Sequence, residues 1–153
     1  MQVEIRQQPE LRVAAVRHLG HYGRIGEAFE RLHVLTGLVA PAGAAPDLVA
    51  IYHDDPRTTP VEALRSDAGL VLPAGAPSPR GLAEVRLPAG RHACATFVGP
   101  YDRLGERWAW LMGEWLPRSG ERHAGGAIWE RYLNTPAEVA REQLVTELWV
   151  PLV

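Results

Sequence analysis

The sequence contains a single cysteine, Cys94, so no internal disulfide can brace the fold. Such cysteine usage fits a reducing compartment, and the cytoplasm is the expected location. Long apolar runs are missing too. Pro, Gly or a charged residue interrupts each one well short of the ~20 residues a membrane helix requires, so no membrane partner is expected. The opening MQVEIRQQPE has no cationic stretch followed by an apolar one, which argues against a secretory signal. No charge of one sign prevails: 16 Lys and Arg face 18 Asp and Glu, for a net charge of −2. The charges are interspersed, so no basic patch recommends direct nucleic-acid binding. Phenylalanine and methionine are scarce, at two each, whereas tryptophan occurs five times, with Trp108, Trp110 and Trp115 crowded together. At 153 residues the chain suits one domain, or two small units sharing a core.

What is present is an internal repeat, the first thing to seek in any chain. PELRVAAVRHLGHYGRIGEAFERL, from Pro9, aligns with PAGRHACATFVGPYDRLGERWAWL, from Pro88. Gly20, Tyr22, Arg24, Gly26, Glu27 and Leu32 fall on Gly99, Tyr101, Arg103, Gly105, Glu106 and Leu111, and Phe29 faces Trp108. Further on, Tyr52, Pro56, Leu64 and Asp67 fall on Tyr132, Pro136, Leu144 and Glu147, with one residue of drift that a loop absorbs. Two copies are too few for a solenoid, so a duplicated unit forming one pseudo-symmetric domain over 1–153 is expected. Its boundaries are a first repeat at 1–72, a Pro/Gly-rich linker at 73–80 as the loosest segment, and a second repeat at 81–153.

Each repeat has the same order of elements. VEIRQQ and LRVAAVRHL read as strands joined by a Pro-Glu turn. Ile25, Ala28, Phe29, Leu32 and Leu35 recur at helical spacing, with Gly37 as a stop. LVAPAGAAP reads as surface connection, followed by strand DLVAIYH, a short helical turn in TPVEAL and strand RSDAGLVL. The second repeat answers with GLAEVRL, RHACATFV, a helix near 102–116, AIWERYL, PAEVARE and VTELWVPL. Eight strands and two main helices predict an α+β fold: a curved antiparallel sheet with both helices on one face, framing a central groove. The βαβ alternation of a dinucleotide-binding fold and a Gly-rich phosphate loop are both missing.

Candidate chemistry centres on VTELWVPL. Strand alternation sets Glu147, Trp149 and Pro151 on one face and Leu148, Val150 and Leu152 on the other. A carboxylate within an apolar strand demands a positive partner or a proton if buried. Glu147 is therefore a candidate anchor for a cationic ligand, or a general base; a surface position paired to an arginine is the alternative. On the second helix, at 100° per residue, Leu104, Trp108, Leu111 and Trp115 form a core stripe. Trp110 lies off that stripe, where it suits either a groove wall that stacks on a ligand or a half-exposed or subunit-contact position. Asp67 and Arg65 share a strand face and are expected to pair. The six histidines have no zinc-like spacing, Asp54-Asp55-Pro56 is ordinary turn composition, and neither a metal nor a cofactor is expected. Cys94 between Ala93 and Ala95 reads as a buried structural thiol. No serine elbow or cysteine–histidine nucleophile is present.

Taken together, GHYGRIGEAFERL with its echo GPYDRLGERWAWL, IYHDDPRTTPVEALRSDAG, IWERYLNTP and the ending TELWVPL resemble the GyrI-like small-molecule-binding family. That family includes the DNA gyrase inhibitory protein and effector-binding domains of multidrug-responsive transcription activators. The first copy departs from the family at GHY, where a Gly-Pro-aromatic triplet is usual. The resemblance implies a concave groove that binds bulky, hydrophobic, often cationic compounds, with Glu147 matching the family's acidic residue. It carries groove aromatics over to Tyr22, Tyr101, Trp129 and Trp149. A stand-alone drug- or toxin-binding domain is the leading expectation, as monomer or homodimer. One alternative is a hydrolase of cyclopropane-bearing or other electrophilic toxins, with Glu147 activating water. Another is modulation of DNA gyrase by protein–protein interaction. Because the family's DNA-binding helices would precede residue 1, direct DNA contact is not expected.

Overall fold

The structure, a computed structural model, describes residues 1–37 and 46–153. The connection expected at LVAPAGAAP falls, apart from Pro46, outside the described residues. All eight expected strands form. They are β1 (Gln2–Gln8), β2 (Leu11–Leu19), β3 (Leu48–Tyr52), β4 (Arg65–Val71), β5 (Ala83–Leu87), β6 (Gly90–Val98), β7 (Ile128–Tyr132) and β8 (Val145–Pro151). Helix α1 (Gly26–Thr36) ends at Gly37, which adopts the left-handed conformation that stops helices. The second main helix runs from α2 (Leu104–Trp110) through a π turn over Leu111–Trp115 into α3 (Leu116–Ser119). The fold is α+β, as expected. None of the helices described is long and apolar enough to cross a membrane.

The chain divides into two compact units: Pro9–Pro88, and Met1–Gln8 together with Ala89–Val153. These units are not the sequence repeats. The opening strand of each repeat belongs to the other unit, because β1 pairs with β6 and β5 pairs with β2. The Pro-Glu turn between β1 and β2 thus makes no hairpin. A tight two-residue hairpin needs positive φ at its centre, and Pro9 cannot adopt it. Within the 73–80 segment, the Ala76 carbonyl accepts from Arg12 Nη2 at 2.8 Å.

In the first unit the antiparallel strand order is β3-β4-β2-β5. Val16 and Ala68 are cross-strand partners, and they pack with Ala28 and Leu32 of α1. In the second unit the order is β1-β6-β8-β7. Its helix-side core joins Ala93, Ala95, Phe97, Leu148 and Val150 of the strands to Leu104 and Leu111 of the helix. Burying a leucine such as Leu111 or Leu148 completely stabilises by about 1.5–3 kcal/mol, so this face is fixed by packing.

The turn from second strand to helix is built the same way twice. Gly20 and Gly99 have φ of 113° and 153°, a region that side chains rarely enter. Their amides donate to the Leu64 and Leu144 carbonyls at 2.9 and 2.8 Å. The departure at GHY has a local explanation, since His21 Nδ1 accepts from the Gly23 amide at 2.9 Å and caps the turn that Pro100 opens in the second unit.

On the face of the first unit away from α1, the backbone at Gly69 is overlain by valines. A Cβ there would collide with Val13 Cγ1 and lie 3.3 Å from Val49 Cγ2. Gly69→Ala should therefore destabilise the chain by about 1–3 kcal/mol through overpacking, measured by urea denaturation. An unchanged midpoint would show that Val13 yields at no cost.

Candidate functional site

Strands β7 and β8 carry two buried glutamates, Glu130 and Glu147, 3% and 8% exposed. Register decides their directions. Glu147 faces Arg131 and Thr96, while Glu130 faces Leu148. Leu148 belongs to the core under the helix. Side chains alternate along a strand, so Glu130 projects to the helix-bearing face and Glu147 to the opposite one.

On the Glu147 face the acid is answered from within the chain. Arg6 of β1 places Nη1 3.1 Å from Glu147 Oε2. Trp149 Nε1 donates to Oε1 at 3.3 Å, and Cys94 Sγ lies 3.7 Å from Oε2. The Arg6 guanidinium also stands 5.7 Å from the Trp149 ring centre, within cation–π range. Trp149 in turn stacks on its cross-strand partner Trp129, with ring centres 4.9 Å apart and planes 4° from parallel. His92 closes the cluster edge-on. Burial, aided by the Glu147 charge, pushes the Cys94 thiol up to about 12, as befits the inert thiol expected there.

On the helix face, Glu130 accepts two hydrogen bonds from aromatic side chains. Trp108 Nε1 of α2 donates to Oε1 at 2.7 Å, and the Tyr132 hydroxyl donates to Oε2 at 2.6 Å. Tyr101 packs edge-on against Tyr132 with ring centres 5.4 Å apart. Burial, then the Glu130 charge, raises the Tyr101 phenol above its ordinary range. A buried carboxylate bordered by indole and phenol groups offers a charge in apolar surroundings to a cation. Glu130 was not among the expected site residues. Its signals were available: in IWERYL it alternates with Ile128 and Tyr132, and Trp108 on the core stripe brings an indole N–H that needs an acceptor.

The first unit repeats the aromatic pair but not the acid. Tyr22 packs on Tyr52 at 4.8 Å. Its hydroxyl donates to the Asp54 carbonyl at 2.7 Å and accepts from the Asp54 amide at 2.9 Å, pinning the turn. Where the repeat puts Glu130, this unit has buried Ala50. The expected Asp67–Arg65 pair does not form. Arg65, at the end of β4, instead reaches Asp54 with two guanidinium hydrogen bonds at 3.0 and 2.9 Å, holding that carboxyl down to about 2. Asp67 takes Arg17, its partner across the ladder, at 2.7 Å and His53 Nε2 at 2.5 Å. An ionised carboxylate only accepts, so Nε2 carries the proton.

The expected site residues thus fall into four groups. Glu147, Trp149 and Trp129 share one face of the second unit, and Tyr101 belongs to the Glu130 cluster. Tyr22 lies in the first unit. Trp110 packs, with Met112 and Trp115, on the helix-side core. The π turn that follows α2 widens the helix, so a stripe drawn at constant spacing drifts there. Trp110 also lines a surface depression of about 190 Å³ with Glu114, Trp115, Arg118 and Ser119. Neither glutamate lines it, and its volume is below the roughly 300 Å³ at which small-molecule pockets begin.

Comparison with known proteins agrees with this architecture. A family model described as "GyrI-like small molecule binding domain" matches residues 1–153. The chain is 35% identical to the probable transcriptional regulator YgiV of Escherichia coli K12 over 100 residues, 65% of this chain and 62% of that protein's length. It therefore spans less than two thirds of that relative. With the DNA gyrase inhibitor of Edwardsiella piscicida it shares 32% identity over 99% of this chain and 98% of the relative. Among solved structures, the EcmrR C-terminal domain superposes with a TM-score of 0.78 at 16% identity, covering 99% of this chain and 97% of that one. SAV2435 bound to tetraphenylphosphonium superposes at 0.70 and 13% identity, covering 100% and 94%. At these identities the structural likeness concerns the fold.

The acid pair of the first unit has a pH signature. Burial pushes the Asp67 carboxyl up, but the hydrogen bonds from His53 and Arg17 outweigh it and hold the group below 3.8. A depressed folded-state value means stability that is complete above the unfolded value and lost as pH falls through the folded one. Asp67→Asn should lower stability at neutral pH by about 3 kcal/mol, the lower end for breaking a buried pair, since Arg17 can turn to solvent. It should also flatten the loss below pH 3.8, as read by urea denaturation across pH. Equal acid slopes in both proteins would contradict the assignment.

Proposed function

The chain belongs to the GyrI-like small-molecule-binding domain family over residues 1–153, and from that premise we propose that it binds bulky, apolar cations against the helix-bearing face of its second unit, with Glu130 as the anionic anchor. The observation that carries this reading is the buried Glu130 carboxylate held by Trp108 and Tyr132 with Tyr101 alongside. A desolvated carboxylate strengthens attraction to a cation, and the flanking rings add π attraction while excluding water. The tetraphenylphosphonium bound to the structurally similar SAV2435 is a ligand of this chemical class.

Glu147, the anchor expected from the sequence, lies on the opposite face and already holds Arg6. A ligand there would have to displace Arg6 and enter beside a packed tryptophan stack. Arg6 would keep Glu4 as its remaining partner, so the ligand must outcompete a guanidinium that is already in place on Glu147.

The test is a titration of a lipophilic phosphonium cation, followed by tryptophan fluorescence and by calorimetry. Glu130→Gln should weaken binding at least tenfold, as expected when a charged hydrogen-bonding partner is lost. Glu147→Gln should change it less than about threefold once folding is verified, on the premise that Glu147 makes no ligand contact worth a hydrogen bond. The reverse ranking would return the anchor to Glu147, and equal effects would remove both assignments.

A further inference from the structure

Four side-chain polar atoms among the described residues are buried without a hydrogen-bond partner: Ser66 Oγ, Arg107 Nε, His123 Nε2 and Thr146 Oγ1. Two of them, Ser66 and Thr146, occupy the same position of the repeat, one residue before Asp67 and Glu147, and both residues are 0% exposed. Each sits across the ladder from the second tyrosine of a pair: Ser66 from Tyr52, and Thr146 from Tyr132. A buried hydroxyl left unpaired loses its hydration with no return, yet the duplicated fold carries one in both halves.

Thr146 shares a face with the proposed anchor. Tyr132 is opposite Thr146 in the ladder, and Tyr132 donates to Glu130. Glu130 is opposite Leu148, so Thr146 and Glu130 are diagonal neighbours on the helix-bearing face. Diagonal pairs stand roughly 7–8 Å apart at the backbone, a span that one small molecule covers.

We infer that Thr146 is a specificity-determining residue: its hydroxyl selects cations that carry a second, hydrogen-bonding group, such as a hydroxyl or ether, beside the charge. This rests on the binding reading above, with Glu130 taking the charge and Thr146 the polar arm. A purely hydrocarbon cation meets the carboxylate charge but leaves Oγ1 unpaired. A cation bearing a polar arm satisfies both. Because Oγ1 is screened from solvent, the rings around Glu130 part as the arm enters.

The experiment uses two matched probes, triphenylphosphonium cations with a hydroxypropyl or a butyl arm, titrated into the full chain. The informative quantity is the ratio of their dissociation constants, compared between wild type and Thr146→Val in a double-mutant-style cycle. The valine variant should shift that ratio about five- to tenfold toward the butyl probe, the size of one hydrogen bond. Thr146→Ser should keep the wild-type ratio. Its unfolding midpoint should hold or rise in Thr146→Val, because an unpaired buried hydroxyl is replaced by an isosteric methyl. Should the valine variant not fold, Thr146→Ala is expected to shift the ratio in the same direction. An identical ratio in wild type and variant, with both probes bound, overturns the role of Thr146 and leaves the binding reading standing. Failure of folded wild type to bind either probe overturns both.

Discussion

Everything specific about this molecule follows from one constraint: a carboxylate in the middle of an apolar strand must be met by donors. β8 and its counterpart β4 each place an acid at the same position, and each acid is met by an arginine from another strand of the same unit. Glu147 takes Arg6 from β1, and Asp67 takes Arg17 from β2. The two arginines occupy unrelated positions of the repeat. Duplication preserved the need for a cation, and each half met it from a different strand. Removing either arginine would leave a buried carboxylate with only its remaining donors, His53 for Asp67 and Trp149 with Cys94 for Glu147, so these pairs are commitments of the fold.

The same duplication shows where the halves diverged. Facing positions changed together. In the first unit Gly69 lies under Val13 and Val49. At the equivalent places the second unit has Trp149, His92 and Trp129, which pack as an aromatic cluster. Small backbone-level packing in one half and large rings in the other fill the same kind of face. On the helix side, Ala50 and Phe29 of the first unit correspond to Glu130 and Trp108 of the second, which hydrogen-bond to each other. The acid and its indole donor arise as a pair. The second unit has a charged, aromatic-lined face where the first has an apolar one.

Much of this was legible in the sequence. The eight strands were, because alternation of apolar and polar residues has a period that only strands share. Burial of Cys94 and the split of Glu147 and Trp149 from Leu148 and Val150 followed from the same alternation. What escaped was pairing. The strands on either side of the Pro9–Glu10 turn were legible, but not that β1 pairs with β6 rather than with β2, since proline disfavours a tight hairpin there without naming the partner. Asp67 and Arg65 shared a face, but Arg65 sits at a strand end where the Asp54 turn captures it. Glu130 was overlooked because a glutamate beside an arginine and a tyrosine in IWERYL reads as surface. Its meaning depends on Trp108, distant in sequence and brought near by the helix.

The proposed ligand site is the helix-bearing face of the second unit rather than the face of Glu147. The most direct measurement is a crystal structure of the chain with a bound lipophilic phosphonium cation. The phosphorus is expected within about 6 Å of the Trp108 or Tyr132 ring centre, with the Glu130 carboxylate as its nearest charge and Arg6 still paired to Glu147. A cation seated beside Glu147 and Trp149, with Arg6 displaced, would contradict it.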